Sequence, residues 1–109
     1  MTKYLVLYHA DVGAEEQMEQ QSEEAGAASM QAWTDWAGRV GPALLDFGTP
    51  LGQAREVTSD GTSTPTTTVG GYSIVEAADA DAAAALMEGH PHLENGTILL
   101  HETVELPGM

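Results

Sequence analysis

The 109-residue chain contains no cysteine. This absence excludes disulfide bonds, thiolate nucleophiles and cysteine-based metal sites. Long apolar runs are also missing, since no stretch approaches the roughly 20 residues that cross a bilayer. The first residues lead directly into a short apolar segment and lack the charged, apolar and small-residue order of a signal peptide. We therefore expect a cytoplasmic protein that forms one domain across residues 1–109.

Basic residues are also few in this sequence. Only Lys3, Arg39 and Arg55 oppose seventeen acidic residues, and the formal net charge is −14. Three scattered cations cannot form the basic surface that binds nucleic acid or an anionic membrane, so neither partner is expected. The acidic surface also repels anionic ligands, and a neutral or cationic small molecule is the easier partner.

Hydrophobic periodicity predicts the first elements. Residues 4–9 form an apolar, β-rich run that predicts a strand buried on both faces. A helix with one apolar face follows from the spacing of Trp33, Trp36, Ala37, Val40 and Leu44. Gly41-Pro42 predicts its end. Residues 10–26 between these elements are compatible with a solvated helix, an extension of the next helix or a mobile excursion.

The second half of the chain repeats the strand-helix-strand order. Residues 43–48 and 72–77 predict strands, and residues 97–106 predict the last one. The Thr-, Ser- and Gly-rich segment 52–71 predicts a long loop or β-arm around a turn at Asp60-Gly61. Asp79 or Asp81 predicts the start of a helix that runs through Glu88, and Gly89 predicts its cap.

The predicted fold class is α+β. The order β-α-β-arm-β-α-β matches the split βαβ arrangement of ferredoxin-like domains, in which two helices cover one face of a four-stranded antiparallel sheet. The other face is left bare. Leu5, Leu7, Ile98 and Leu100 alternate along the outer strands of this prediction, and with them neither face is polar enough to remain in water. We therefore expect a homodimer that pairs the bare faces and creates a cleft.

Laid out in this order, the chain resembles the YCII-related family, including its DGPF branch. The segments that carry the resemblance are residues 3–8, the helix around Ala32-Trp33, residues 44–51, Gly70-Gly71-Tyr72, and residues 90–94 with Gly96. The resemblance implies a ferredoxin-like protomer and a dimeric α/β barrel. It also implies a His–Asp pair in the dimer cleft of some members, and a few relatives act on chlorinated aromatic intermediates.

This chain departs from that family pattern at three places. Gln31 stands where such members carry a helix histidine, and His90 stands where they carry aspartate before the proline. Residues 60–63 read Asp-Gly-Thr-Ser in place of Asp-Gly-Pro-Phe. Any catalysis would therefore need residues other than the family pair.

Two histidines flank a proline near the C-terminus, and they are the first candidates for such residues. His90 and His92 could act as acid and base near neutral pH, with Asp46, which interrupts an apolar strand, as a further base. The same imidazoles could bind a divalent metal with Asp46 or Glu94. Alternatively, one ring caps a carbonyl and the other lies in solvent, while Asp46 caps a turn. We predict catalytic roles for His90, His92 and Asp46, and neither a metal nor a cofactor.

The candidate ligand-binding residues are His9, Trp33, Trp36 and Tyr72. His9 ends the first strand and could face the cleft, as could His101, although a buried histidine more often bonds a carbonyl. The two tryptophans share one helical face, so each either packs in the core or lines an apolar pocket. The favoured function is a small-molecule enzyme that uses histidine and carboxylate acid–base chemistry on an uncharged or aromatic metabolite. The alternative is a non-catalytic ligand-binding or regulatory dimer.

Overall fold

The computed structural model describes residues 1–10 and 22–107. In this part of the chain the strands are β1 (Thr2–His9), β2 (Leu44–Asp46), β3 (Glu56–Thr58), β4 (Gly61–Ser63), β5 (Val69–Ala77) and β6 (Thr97–Glu102). The α-helices are α1 (Glu23–Val40) and α2 (Ala80–Ala85), and short 3-10 helices span Gly41–Ala43 and Pro91–Glu94.

Four strands form the main sheet, in the order β2-β5-β1-β6, and all neighbours are antiparallel. This sheet, together with the two helices, confirms the predicted α+β class, and the strand order is consistent with a ferredoxin-like arrangement. The arm between β2 and β5 contains the β3–β4 hairpin, in which Glu56 pairs with Ser63. Its turn is formed by Ser59 and Asp60, just before Gly61.

Helix α1 starts earlier than its apolar stripe predicts. Ser22 is the N-cap, and its hydroxyl accepts a hydrogen bond from the backbone N–H of Ala25 over 3.1 Å. From Glu23 onward, the acidic segment is therefore an extension of the helix, while residues 11–21 lie outside the described part of the chain. The helix ends at Val40, and Gly41 is its C-cap, with a φ of +64° that suits glycine. Leu44 belongs to β2 and not to the helix.

Helix α2 is shorter than predicted. Asp79 caps it by accepting from the N–H of Ala82 over 2.8 Å, but the helix ends at Ala85 rather than Glu88. The N–H groups of Met87, Glu88 and His90 bond to carbonyls three residues back, so the last turns tighten before Gly89 turns the chain with φ +72°.

Strand β6 also ends before its predicted limit at Leu106. The last register pair with β1 is Tyr4 with Glu102, and the N–H of Thr103 then bonds to the carbonyl of Lys3. Strand β1 begins at Thr2, which in this register lies opposite Val104, so Glu105 and Leu106 have no partner in β1.

Both helices pack on the same face of the sheet. Tyr4, Val6 and Tyr8 of β1 are buried on this face. The buried or partly buried residues that pack with them are Trp33, Trp36, Ala37 and Val40 of α1, Ala82 and Ala83 of α2, Leu86 and Met87 after it, and Val75, Ala77, Ile98 and Leu100 of the sheet. The opposite face includes half-buried Leu5 and Leu7 and leaves Leu99 47% exposed. None of the helices in the described residues is long and apolar enough to cross a membrane.

Candidate functional site

A cavity of about 700 Å³ opens on the helix-covered side of the sheet. The beginning of α1 borders it on one side, and the loop after β2 and the adjoining ends of β1 and β5 border it on the other. The residues that line it are Tyr8, Ala10, Ser22, Glu23, Gly26, Ser29, Met30, Trp33, Phe47, Gly48, Thr49, Pro50, Gly70, Gly71, Tyr72 and His92. Its volume matches that of a site for a small metabolite.

His92 is the histidine on the wall of this cavity. Its Nε2 lies 2.9 Å from the backbone carbonyl oxygen of His9. A carbonyl only accepts, so Nε2 must carry the proton, and the neutral ring then has a lone pair on Nδ1. Among the described residues Nδ1 has no hydrogen-bond partner. The ring is therefore held in one tautomer and can accept a proton from a bound molecule.

His90 occupies a different environment two residues earlier. Its side chain is only 2% exposed, and its Nδ1 accepts a hydrogen bond from the backbone N–H of His92 over 3.0 Å. The ring centre lies 4.3 Å from that of Trp36, 4.5 Å from that of Trp33 and 5.0 Å from that of Tyr8. Its Nε2 is buried without a partner among the described residues. His90 thus orients His92 and does not line the cavity itself.

The aromatic surroundings control the charge of His90. Burial lowers its pKa to about 4, and the neighbouring His92 and Arg39 act in the same direction. The ring is therefore neutral near pH 7, and it cannot share a proton with His92 as an acid–base pair there. This environment favours a positioning role for His90.

Tyr8 links the cavity to the sheet through a buried chain of hydroxyl groups. The Ser73 hydroxyl donates to the carbonyl oxygen of Phe47 over 2.6 Å, and the Tyr8 hydroxyl lies 2.7 Å from Ser73 Oγ. Since the Ser73 proton is used on Phe47, Tyr8 is the donor to Ser73. Burial raises the pKa of Tyr8 to about 12, although the bond to Ser73 opposes this shift. Tyr8 therefore stays protonated and holds Phe47 at the cavity rim.

Asp46 lies outside the lining of the cavity. Its side chain is exposed, and its Oδ1 accepts a hydrogen bond from the N–H of Gly48 over 2.8 Å. This is a local turn, and it corresponds to the alternative in which Asp46 caps the backbone. Gly48 has φ +76°, and a Cβ there would collide with the Tyr72 backbone. Asp46 thus shapes the rim next to Phe47 and Thr49.

Of the four predicted ligand-binding residues, Trp33 and Tyr72 line the cavity, whereas Trp36 and His9 do not. Trp33 lines the cavity, whereas Trp36 is 1% exposed and donates its indole N–H to the carbonyl of Leu86 over 2.9 Å. Tyr72 also borders the cavity, but alternation along β5 places its ring on the face opposite Ser73. We therefore assign its contribution to the main chain.

His9 contributes to the cavity only through its backbone carbonyl, which bonds to His92. Its ring lies in a separate pocket of about 240 Å³, where Nδ1 is 2.7 Å from Thr68 Oγ1. The buried Nε2 has no partner in the described part of the chain.

Metal binding finds no support from the described residues, because no three His, Asp or Glu side chains in this part of the chain come together. In the turn at residues 90–92, two ring nitrogens already have hydrogen-bond partners. Nδ1 of His90 accepts from a backbone N–H, and Nε2 of His92 donates to a carbonyl oxygen.

Most of the lining residues were not among the predicted site residues, and Glu23, Tyr8 and Phe47 are the charged and aromatic ones. Glu23 is exposed at the first turn of α1, and it is the only acidic residue among the described residues that line the cavity. Ser22 could have indicated that a helix begins just before Glu23. That indication is weak, because the third helical position carries neither Glu nor Gln. Tyr8 was recognised only as part of a buried strand.

Comparison with known proteins identifies the family. The model of the YCII-related domain matches residues 2–106, which is nearly the whole chain, and the protein therefore belongs to this family. The resemblance stated from the sequence is confirmed. A search among curated proteins found no match.

Proposed function

We propose that this member of the YCII-related family is a small-molecule enzyme, which binds an uncharged or aromatic metabolite in the cavity and uses His92 as its proton acceptor. One observation carries the proposal: Nδ1 of the tautomer-fixed His92 ring, which has no hydrogen-bond partner within residues 1–10 and 22–107, belongs to a cavity wall that also contains Trp33 and Phe47. A histidine held in this way can contribute roughly 10²- to 10⁴-fold to a proton-transfer step. This proton transfer needs only side chains of the protein and no cofactor.

The proposed mechanism gives the other predicted residues supporting roles. The metabolite stacks against Trp33 and Phe47 and places an acidic O–H or C–H near Nδ1 of His92. The His9 carbonyl stabilises the imidazolium that forms when the proton moves to Nδ1. His90 holds the backbone of His92, and Asp46 holds the rim at Gly48.

The proposed assembly is a homodimer that forms a ferredoxin-like α/β barrel. The strand order and the placement of both helices on one face support it. The opposite face carries apolar side chains that include Leu5, Leu7 and Leu99, and a second copy would cover them.

Two probes test the function directly. 2-Phenylethanol tests binding, and we expect it to shift the NMR signals of the Trp33 indole and the His92 ring but not those of Trp36. Phenylacetone tests proton transfer, because exchange of its α-protons with deuterated water reports a base. We expect exchange above the buffer rate, and His92→Gln should reduce it by about 10²-fold or more. Failure of millimolar 2-phenylethanol and phenylacetone to perturb Trp33 and His92 would contradict the proposal.

The alternative is a non-catalytic ligand-binding module. It is favoured by the partner of His92, which is a backbone carbonyl rather than a carboxylate that would raise the basicity of the ring. Binding of both probes without exchange of the phenylacetone protons would support this alternative over the enzyme.

A further inference from the structure

The charged side chains around the cavity define a narrower class of ligand. Among the described residues that line it there is no Lys or Arg, and Glu23 supplies a carboxylate. Arg39 is directed elsewhere, with its Nη2 3.3 Å from the Gly89 carbonyl oxygen. The whole chain adds a formal net charge of −14, which raises the local concentration of cations at its surface.

The aromatic side chains have the arrangement that suits an organic cation. The rings of Tyr8 and Trp33 are 4.8 Å apart and nearly perpendicular, with an interplanar angle of 76°. Phe47 lies 6.3 Å from Trp33 at an angle of 31°. Aromatic walls set at an angle to one another recognise substituted ammonium groups through the negative faces of their rings.

The polar groups of the cavity also suit an organic cation, because several of them accept the hydrogen bonds that an ammonium group donates. The Glu23 carboxylate and Nδ1 of His92 are acceptors, and the hydroxyls of Ser29 and Thr49 can also accept. The start of α1 contributes a partial positive charge, which the carboxylate of Glu23 in the first turn opposes.

We propose that the ligand of this cavity is a small organic ammonium compound with an aromatic body. The inference rests on the proposed function, since it uses the same cavity, and it specifies the charge of the metabolite. The ammonium group lies between the Glu23 carboxylate and the rings of Trp33 and Phe47, and the apolar body fills the remaining space toward Met30.

Three probes of matched shape and different charge test the proposal. They are 2-phenylethylamine, 2-phenylethanol and phenylacetate, each titrated at low and high salt while the Trp33 indole signal is followed by NMR. We expect the amine to bind about 5- to 10-fold more tightly than the alcohol at low salt, and phenylacetate to bind most weakly. High salt should reduce the preference for the amine.

A matched pair of variants assigns the effect to Glu23. Glu24 is the next residue of the same helix turn and does not line the cavity, so Glu24→Gln has the same change in net charge and in helix-end electrostatics. Glu23→Gln should weaken binding of the amine about 5-fold and leave the alcohol unchanged, whereas Glu24→Gln should leave both nearly unchanged.

The outcomes separate the two proposals. If the alcohol or phenylacetate binds as tightly as the amine, or if the two variants have equal effects, the assignment of an ammonium ligand is overturned while the aromatic site stands. If none of the three probes perturbs Trp33, the proposed function itself is contradicted, and the ammonium ligand with it.

Discussion

The imidazole of His92 donates a hydrogen bond from Nε2 to the backbone carbonyl of His9 over 2.9 Å, although the two residues are 83 positions apart in the chain. The bond joins the corner before β6 to the end of β1 and fixes the tautomer of the ring that borders the cavity. It depends on a third residue, Gly96, which packs directly against both groups.

Gly96→Ala should disrupt this contact. A Cβ at Gly96 would lie 2.7 Å from His92 Nε2 and closer still to the His9 carbonyl oxygen, so the backbone or the ring must move. We expect a loss of about 1 to 3 kcal/mol in the free energy of unfolding and a shift of the His92 ring signals. Urea denaturation and NMR measure the two effects.

Gly38→Ala is the matched control for this substitution. Gly38 lies inside α1, and a Cβ there meets nothing within 4 Å. Alanine should therefore stabilise the protein by about 0.5 to 1 kcal/mol, since glycine is unfavourable in a helix interior. If the free energy of unfolding of Gly96→Ala is not lower than that of Gly38→Ala, the role given to Gly96 is contradicted.

The burial of His90 predicts a stability that depends on pH. Its pKa falls from 6.5 to about 4 in the folded protein, so below pH 6.5 the unfolded chain binds a proton that the folded chain does not. The free energy of unfolding should therefore be highest above pH 6.5 and decrease by about 2 to 3 kcal/mol as the pH falls to 4. Urea denaturation across this range measures the slope.

His90→Asn isolates this contribution. The amide oxygen can still accept from the N–H of His92, but the side chain no longer titrates. The variant should lose packing between Trp33 and Trp36 and show a flatter slope between pH 6.5 and 4. His101→Asn serves as the control for loss of an exposed ring on β6. An unchanged slope in His90→Asn would show that other groups cause the pH dependence.

The corner at residues 90–92 shows how far the sequence could predict the site. The turn itself follows from Gly89, from the proline and from Asn95-Gly96. The two histidines look alike in the sequence, yet one is buried and the other borders the cavity. The difference arises because Trp33 and Trp36, more than fifty residues earlier, enclose His90, and local patterns carry no information about such contacts.

The same limit applies to the carboxylates and helix boundaries. Strands β1 and β5 were predicted from their apolar, β-rich runs, and α1 was predicted from its apolar stripe, because these patterns lie within each element. The alternation of buried and half-buried residues along β1 was not predicted, since its run is apolar throughout. Asp46 interrupts an apolar run, which suggested a cleft wall, but its nearest partner is the backbone two residues ahead. Glu23 reaches the cavity only because Ser22 starts the helix there, in a segment whose structure the composition left open.

The Tyr8–Ser73–Phe47 chain should be energetically coupled. Ser73→Ala removes the acceptor of Tyr8 and the donor to the Phe47 carbonyl within a site where Ser73 is fully buried. We expect a loss of about 1 to 3 kcal/mol in the free energy of unfolding. Tyr8→Phe removes only one of these hydrogen bonds and should cost less.

A double-mutant cycle of these two substitutions measures the coupling. The double variant should be more stable than the sum of the single losses predicts, by about 0.5 to 1.5 kcal/mol, because the bond between Tyr8 and Ser73 is lost only once. Strict additivity of the two losses would argue against a shared hydrogen bond.

The proposed dimer predicts that the open face of the sheet is sensitive to charge. Leu99 pairs with Leu7 on this face and is 47% exposed in the single chain. Leu99→Lys should therefore change the free energy of unfolding of the monomer little. In the dimer it would place a desolvated charge in the interface, and we expect it to weaken dimerisation by about 10-fold or more. Light scattering coupled to size exclusion, over a dilution series, measures the mass of each variant. Leu93→Lys is the matched control, because Leu93 is 48% exposed but belongs to the 3-10 helix Pro91–Glu94 and not to a strand of the sheet. A wild-type protein of monomer mass, or equal effects of the two lysines, would mean that the apolar face is not a contact between copies of this chain.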